Sequence, residues 1–143
     1  MGKIFSLTSD EAEKILTAAI QILKSQSQSA SVVIVNRDET EIAKAIMDGV
    51  KPVTAHVALM KARQAAWVGK STSVTKDEIM SGEKTPEILG IEPENLVPWA
   101  GGVPIYDQEG NHLGGIGVSN LRQEEDDKVA NNAILNSGFK TEP

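Results

Sequence analysis

Residues 99–120 read WAGGVPIYDQEGNHLGGIGVSN, and this stretch predicts two strands joined by a tight turn. Residues 103–106 form the first apolar run and residues 113–118 form the second. The five residues between 106 and 112 are rich in Asp, Gly and Asn, which tolerate the backbone conformations of hairpin loops. The stretch therefore predicts a β-hairpin close to the C-terminal third of the fold.

Paired glycines mark both strands of this hairpin, at Gly101-Gly102 and at Gly114-Gly115. A glycine in or before a strand weakens it, so a bulge, or the close approach of another backbone or of a ligand, usually requires it. The simpler interpretation is a kinked hairpin. The functional interpretation places Gly101-Gly102 at the edge of a ligand site, and the hairpin alone leaves both open.

The composition predicts a single domain over residues 1–143 without covalent cross-links. The chain contains no Cys and carries a formal net charge of −6. An acidic chain is a poor partner for nucleic acid or anionic membranes, and no apolar run approaches the ~20 residues of a membrane helix. We expect neither partner, and a cytoplasmic location because a Cys-free chain suits a reducing compartment. Residues 1–6, MGKIFS, match a short myristoylation pattern that arises easily by chance.

Hydrophobic periodicity predicts one helix and two strands at the start of the chain. Thr8 and Glu11 form a capping box, and apolar residues follow at helical spacing as far as residue 23. A β-branched run at residues 31–36 predicts a central strand. Residues 41–47 alternate less regularly and predict a second, more exposed strand.

The helix predicted at residues 54–68 has two different faces. One is a narrow strip of small side chains, which lets a helix lie close to a sheet; it comprises Ala55, Ala58, Ala62 and Ala65. The opposite face carries His56, Met60, Arg63 and Trp67. That second face is either a subunit contact or partly exposed surface, or it is a ligand-facing wall on which His56 would ligate a metal or a haem iron. One His without a partner at metal-site spacing does not by itself predict a metal site.

The remaining segments are a long connection and a final helix. A capping box at residues 75–78 predicts a short helix that ends at Ser81-Gly82. Prolines and glycines then interrupt the chain up to residue 99, and so long a connection is often a functional cover or a subunit arm. Residues 122–136 predict the last helix, with Gly138 as its C-terminal cap. Four acidic residues at 124–127 complement the dipole at its start.

Five passages together resemble one family. Met47-Asp48-Gly49 resembles its R-M-D-G-A segment, and Lys61-Ala62 resembles the start of its K-A-x-T-A stretch. Residues 101–105 match its G-G-[VL]-P-[IL] motif, and residues 114–119 resemble its G-A-I-G-V-S-G motif. Asp126-Asp127 falls on an acidic pair early in its last helix. The resemblance is to the GlcG/HbpS family, which includes the C-terminal domain of PduO-type proteins, and it covers nearly the whole chain.

The order of the predicted elements indicates an α+β class, with helices packed on an antiparallel sheet that we expect to have about five strands. The resemblance implies a profilin-like or PAS-like sandwich. It also implies a homo-oligomer, haem as a candidate cofactor, and a link to glycolate or to diol and glycerol breakdown through corrinoid enzymes. The chain departs from the family at residues 37–40, which lack the glycine of a D-x-x-G turn, and at Asn120, which replaces a glycine. The departures suggest a subgroup.

Three functions follow as hypotheses, and no catalytic residue is assigned. The first is a small-ligand or haem-binding oligomeric accessory protein, with His56 as the candidate haem ligand. The second is an enzyme that acts on a small hydroxy acid, whose carboxylate would meet backbone N–H groups and Lys61. The third is a non-catalytic assembly partner of a dehydratase system. The candidate ligand-binding residues are Lys61, Gly101, Gly102, Val103, Pro104 and Asp48, and a simpler role for Lys61 is a salt bridge with a carboxylate such as Asp48.

Overall fold

The computed structural model describes residues 5–143 as an α+β fold. Its helices are α1 (Ser9–Ser25), α2 (Val53–Val68), α3 (Thr72–Met80) and α4 (Gln123–Asn136). Its strands are β1 (Ser31–Asn36), β2 (Glu41–Ile46), β3 (Gly102–Tyr106) and β4 (His112–Ser119). A 3-10 turn at Pro93–Asn95 lies between α3 and β3. The first four residues of the myristoylation-like pattern fall outside the described part, in which no helix is long and apolar enough to cross a membrane.

The four strands form one antiparallel sheet in the order β2-β1-β4-β3. The predicted hairpin of β3 and β4 and the central position of β1 are both confirmed. The prediction of about five strands is one too high for residues 5–143. The long connection between α3 and β3 supplies no further strand, because Pro86, Pro93 and Pro98 interrupt it and proline cannot donate to a ladder.

Helices cover both faces of the sheet, and β1 shows how the core is divided. Val32 and Ile34 belong to the larger core, which includes residues of α1 and α4. Val33 and Val35 point the other way and pack with alanines of α2. Successive side chains of a strand alternate between faces, so a continuous β-branched run serves both layers.

Helix α2 lies directly on the glycines of β4. Three of the four residues of the predicted small-residue strip, Ala58, Ala62 and Ala65, are completely buried, whereas Ala55 is only partly buried. A Cβ placed on Gly117 would overlap the carbonyl oxygen of Ala58, and one on Gly115 would crowd that of Ala62. The glycines of β4 therefore serve the close approach of another backbone, which was one of the alternatives left open by the sequence.

The two capping boxes predicted from the sequence have different outcomes at α1 and α3. At α1 the capping box is formed, with Thr8 N donating to Glu11 Oε1 at 2.9 Å and Glu11 N donating to Thr8 Oγ1 at 3.2 Å. The predicted start at Thr75 is wrong, because α3 begins earlier and Ser71 caps it by accepting from Val74 N at 3.3 Å. Thr75 is instead a buried residue inside the helix.

Replacing Gly117 with Ala tests whether the contact between α2 and β4 is as tight as described. We expect Gly117→Ala to lower the free energy of unfolding by about 3 kcal/mol, because overpacking typically costs that order of energy. Gly49→Ala is the control, since its Cβ would meet open space and only its positive φ is unfavourable. That control should lose about 1 kcal/mol. Urea denaturation measures both, and a loss at Gly117 no larger than at Gly49 would contradict the packing.

Candidate functional site

An open groove of about 600 Å³ runs along the outer face of α2. One wall comes from the helix and the other from the connection between α3 and β3. The helix supplies His56, Met60, Arg63, Gln64 and Trp67, and the connection supplies Gly90, Ile91, Glu92, Asn95 and Val97. The volume lies within the range of roughly 300–1,000 Å³ that small-molecule sites occupy.

The helix wall of the groove follows from residue spacing in α2. Residues three and four apart share a face of a helix, so His56, Met60, Arg63 and Trp67 form one stripe. The alanine strip on the opposite side is buried against the sheet and turns this stripe outward. Trp67 remains 54% exposed, which is unusual for so large an apolar side chain.

Two side chains of α2 hold the opposite wall, which we call the wall segment (residues 89–97). Gln64 Nε2 donates to Val97 O at 3.2 Å, while Gln64 Oε1 accepts from Val97 N at 2.7 Å. Trp67 Nε1 donates to Leu89 O at 2.7 Å. Both ends of the wall segment, which is part of the connection expected to be a functional cover or a subunit arm, are therefore bound to the helix it faces.

The turn between β1 and β2 contributes to the lining of the groove. Glu39 lines the groove and takes a left-handed conformation, with φ of +63°, at a turn that lacks glycine. Asn36 Oδ1 stabilises this turn by accepting from Asp38 N at 2.9 Å and from Thr40 N at 3.1 Å. The carbonyl of Glu39 accepts from Arg63 Nε at 3.3 Å, which orients the guanidinium beside the groove.

The donor set of the groove fits a flat ligand that carries carboxylates, including haem. An imidazole and a thioether, from His56 and Met60, are both axial ligands of haem iron in proteins. Trp67 supplies an aromatic surface, and the terminal nitrogens of Arg63 match a carboxylate. Glu39 and Glu92 also line the groove, and their negative charges disfavour an anionic group nearby. Among the lining residues that the structure describes, Arg63 is the one with a fixed positive charge, so a carboxylate of the ligand would bind there.

Lys61 lies on the opposite side of α2 in a buried polar cluster. Its ammonium donates to Val118 O at 2.9 Å and to Asp126 Oδ2 at 3.2 Å, and both side chains of the ion pair are only 3% exposed. Asp126 Oδ1 accepts from Leu121 N at 3.0 Å. Burial lowers the pKa of Lys61 and raises that of Asp126, and the charge of each residue opposes the shift of the other.

The candidate residues from the sequence fall in three separate places. Gly101 and Gly102 are buried beside Lys61, since a Cβ on Gly101 would lie 2.8 Å from Lys61 Nζ. Gly102 N donates to Thr72 Oγ1 at 3.1 Å, and Val103 and Pro104 are buried in β3. Asp48 is exposed after β2, whereas His56 lines the groove.

The salt bridge expected for Lys61 is formed, but its partner is Asp126 and not Asp48, the carboxylate suggested from the sequence. Asp126 takes the place expected for Asp48, because α4 brings its first turn against the end of β4. The sequence showed Asp126 as one of four acids that complement a helix dipole and as part of a family-like acidic pair, and neither observation named Lys61 as its partner. The acidic pair was the available signal for a role of Asp126. No sequence signal marked Gln64 as a functional residue, because both of its amide atoms bind the backbone of Val97, 33 residues away.

The second histidine, His112, has a structural environment. Its ring stacks on Tyr106 with centroids 4.7 Å apart, and Nε2 donates to Gly114 O at 2.9 Å. Burial, with a contribution from the charge of Arg37, lowers the pKa of His112 to about 4. Across residues 5–143, no three His, Cys, Asp or Glu side chains form a group that could hold a metal ion.

The structure is that of a small α+β sandwich protein with an open groove along its outer helix. The chain belongs to the HbpS-like family, described as "haem degrading protein HbpS-like", whose model matches residues 7–135. No curated protein matches the chain.

Solved structures share this fold at low sequence identity. Klebsiella pneumoniae protein ORFY is 18% identical with a TM-score of 0.84, and the match covers 96% of this chain and 94% of that one. A PduOC:heme complex is 23% identical with a TM-score of 0.82 over 96% and 99% of the two chains. A double mutant of Streptomyces reticuli HbpS is 24% identical with a TM-score of 0.80 over 94% and 89%.

Lys61→Met tests the buried ion pair. We expect it to lower the free energy of unfolding by about 3–5 kcal/mol, because it leaves an uncompensated buried carboxylate. Adding Asp126→Leu should recover most of that loss. Lys70→Met is the matched control, because Lys70 pairs with Glu78 at 3.0 Å but is half exposed, and such pairs contribute at most about 1 kcal/mol. Equal losses for Lys61→Met and Lys70→Met, measured by urea denaturation, would contradict this account.

We expect the protein to lose stability in mild acid because the pKa of His112 is lower in the folded protein than in the unfolded chain. The unfolded chain binds a proton at this residue below pH 6.5, whereas the folded protein resists protonation until about pH 4. Stability is therefore fully present above pH 6.5 and falls as the pH drops from 6.5 to about 4, by up to about 3 kcal/mol. His112→Phe keeps the ring stacking and should flatten this part of the stability profile. An identical pH profile for both proteins would show that His112 does not cause the decline.

Proposed function

We propose that this protein binds haem, or a closely related flat ligand with carboxylates, in the groove on the outer face of α2. The observation that carries the proposal is that one groove gathers His56, Met60, Arg63 and Trp67. Membership of the HbpS-like family and the fold shared with a PduOC:heme complex support the same ligand class.

Each of these residues has a distinct role in the proposed complex. His56 would hold the iron through its imidazole, and Met60, one turn along the same face, would contact the ligand with its thioether side chain. Arg63 pairs with a carboxylate at the ligand edge, because its Nε is engaged by Glu39 O while its terminal nitrogens have no other bond in the described contacts. Bound haem would supply a redox-active iron.

The alternative enzyme site at Lys61 receives less support from the geometry. The Lys61 ammonium is already bound by Val118 O and Asp126, and Gly102 N is bound by Thr72. A hydroxy acid would have to displace these buried partners before its carboxylate could bind. We therefore assign Lys61 a structural role and the groove the binding role.

The proposal also covers the oligomeric state, the location and the metabolic context of the protein. We propose an accessory protein that acts as a homo-oligomer in the cytoplasm, and the link to glycolate or to diol and glycerol breakdown comes from the motif resemblance. The exposed Trp67 and His56 are compatible with either a bound ligand or a neighbouring subunit, which the following experiment separates.

Titration with hemin tests the proposal. The wild-type protein should shift the Soret band with saturable binding, and His56→Ala should remove the shift or weaken binding by at least about tenfold, a change of about 1.4 kcal/mol. Met60→Ala and Arg63→Gln should each weaken binding by a smaller factor. Binding is measured by absorbance titration at constant pH.

Matched variants outside the groove serve as controls. Met80→Ala changes a 75% exposed methionine, and Arg122→Gln changes an arginine whose side chain is 84% exposed. Both should bind hemin as the wild type does. A wild-type protein without a Soret shift, or a His56→Ala variant with an unchanged shift, would refute the proposed site.

A further inference from the structure

The wall segment forms half of the groove without regular secondary structure of its own. Apart from the 3-10 turn at Pro93–Asn95, it has neither helix nor strand. Its backbone forms local turns, with Ile91 N donating to Pro86 O at 2.9 Å and Asn95 N donating to Glu92 O at 2.8 Å. The side chains of Gln64 and Trp67 bind the two ends of the segment and hold these turns against α2.

Gln64 binds the C-terminal end of the wall segment as a strand neighbour would. Its amide both donates to the carbonyl and accepts from the N–H of Val97, and the side chain is 6% exposed. Val97 itself is 1% exposed. Because both partners are shielded from water, loss of the Gln64 amide would leave two buried backbone groups of Val97 unsatisfied.

Trp67 binds the N-terminal end of the same segment. Its indole N–H donates to Leu89 O, and its ring lies against Gly90, where an added Cβ would be 3.2 Å from the ring. Gly90 has a φ of +72°, so both its conformation and this contact suit glycine. The same ring also lines the groove, so one side chain both faces the ligand and holds the wall segment.

We infer that Gln64 and Trp67 are positioning residues whose hydrogen bonds hold the wall segment in place and thereby slow the release of the ligand. The inference rests on the proposed function, since it assigns a part of the same groove. The two fastening points bracket Ile91, Glu92 and Asn95, which line the groove between them. Freeing either end lets these three side chains move away from the ligand.

Two variants remove the fastening bonds while keeping side-chain size or aromatic character. Gln64→Met loses both bonds to Val97, and Trp67→Phe keeps an aromatic ring but loses the donor to Leu89 O. The controls are Gln21→Met on the exposed side of α1 and Trp99→Phe, a 43% exposed tryptophan outside the groove. Hydrogen exchange at the Val97 amide and stopped-flow hemin dissociation are measured well below the melting temperature.

The inference predicts a specific combination of results. In Gln64→Met, exchange at Val97 should accelerate at least tenfold, and hemin should dissociate at least threefold faster with a similar association rate. Trp67→Phe should also release hemin at least threefold faster. The Soret maximum of bound hemin should stay at the wild-type position because His56 is intact, and both controls should behave as the wild type.

The opposite results separate this inference from the proposed function. Unchanged exchange at Val97 in Gln64→Met would show that the bonds do not hold the segment. Faster exchange with unchanged hemin release would show that the segment is not a ligand wall, while hemin binding itself would still stand. If the wild type binds no hemin, the proposed function and the ligand role of the segment both fail, and the exchange result alone decides whether Gln64 holds the segment.

Discussion

The contact between the alanine strip of α2 and the glycines of β4 is the constraint on which the rest of the structure depends. Gly115 and Gly117 have no side chain, so the backbones of Ala58 and Ala62 can lie against the strand. Burial of these alanines fixes the rotation of α2 about its axis. A helix so fixed must present the stripe from His56 to Trp67 outward, and the groove follows from that.

The inner side of α2 has a structural role, and its outer side carries the proposed binding groove. On the inner side, Lys61 joins α2 to the end of β4 and to the start of α4 through Val118 O and Asp126. This pair is buried, so its protein partners already use the hydrogen-bonding capacity that a ligand would need. On the outer side, Gln64 and Trp67 bind the wall segment, while His56 and Arg63 remain open to a ligand. The groove is therefore the better site, although the most distinctive sequence motifs surround the buried pair.

Local signals in the sequence predicted the fold well. The capping box at Thr8, the alanine strip and the β3–β4 hairpin all depend on residues within a few positions of one another, and all three are formed. The outward stripe of α2 was also predicted from helical spacing, although its role was left between subunit contact and ligand wall.

What the sequence missed depends on contacts between distant segments. Asp126 approaches Lys61 across 65 positions, and Gln64 reaches Val97 across 33. Neither residue type nor spacing reveals such a pairing, because it is set by how α4 and the wall segment return to α2. The start of α3 was missed for a related reason: Thr75 belongs to a local capping pattern but is buried by tertiary packing, and Ser71 caps the helix instead.

Amide NMR spectra of the ¹⁵N-labelled protein with and without hemin test the central claim most directly, since paramagnetic iron broadens nearby signals. The account predicts broadening along α2 from His56 to Trp67 and in the wall segment, with the signals of Gly101 and Asp126 left intact. Broadening centred on Gly101 and Asp126, with the signals of the wall segment intact, would contradict it.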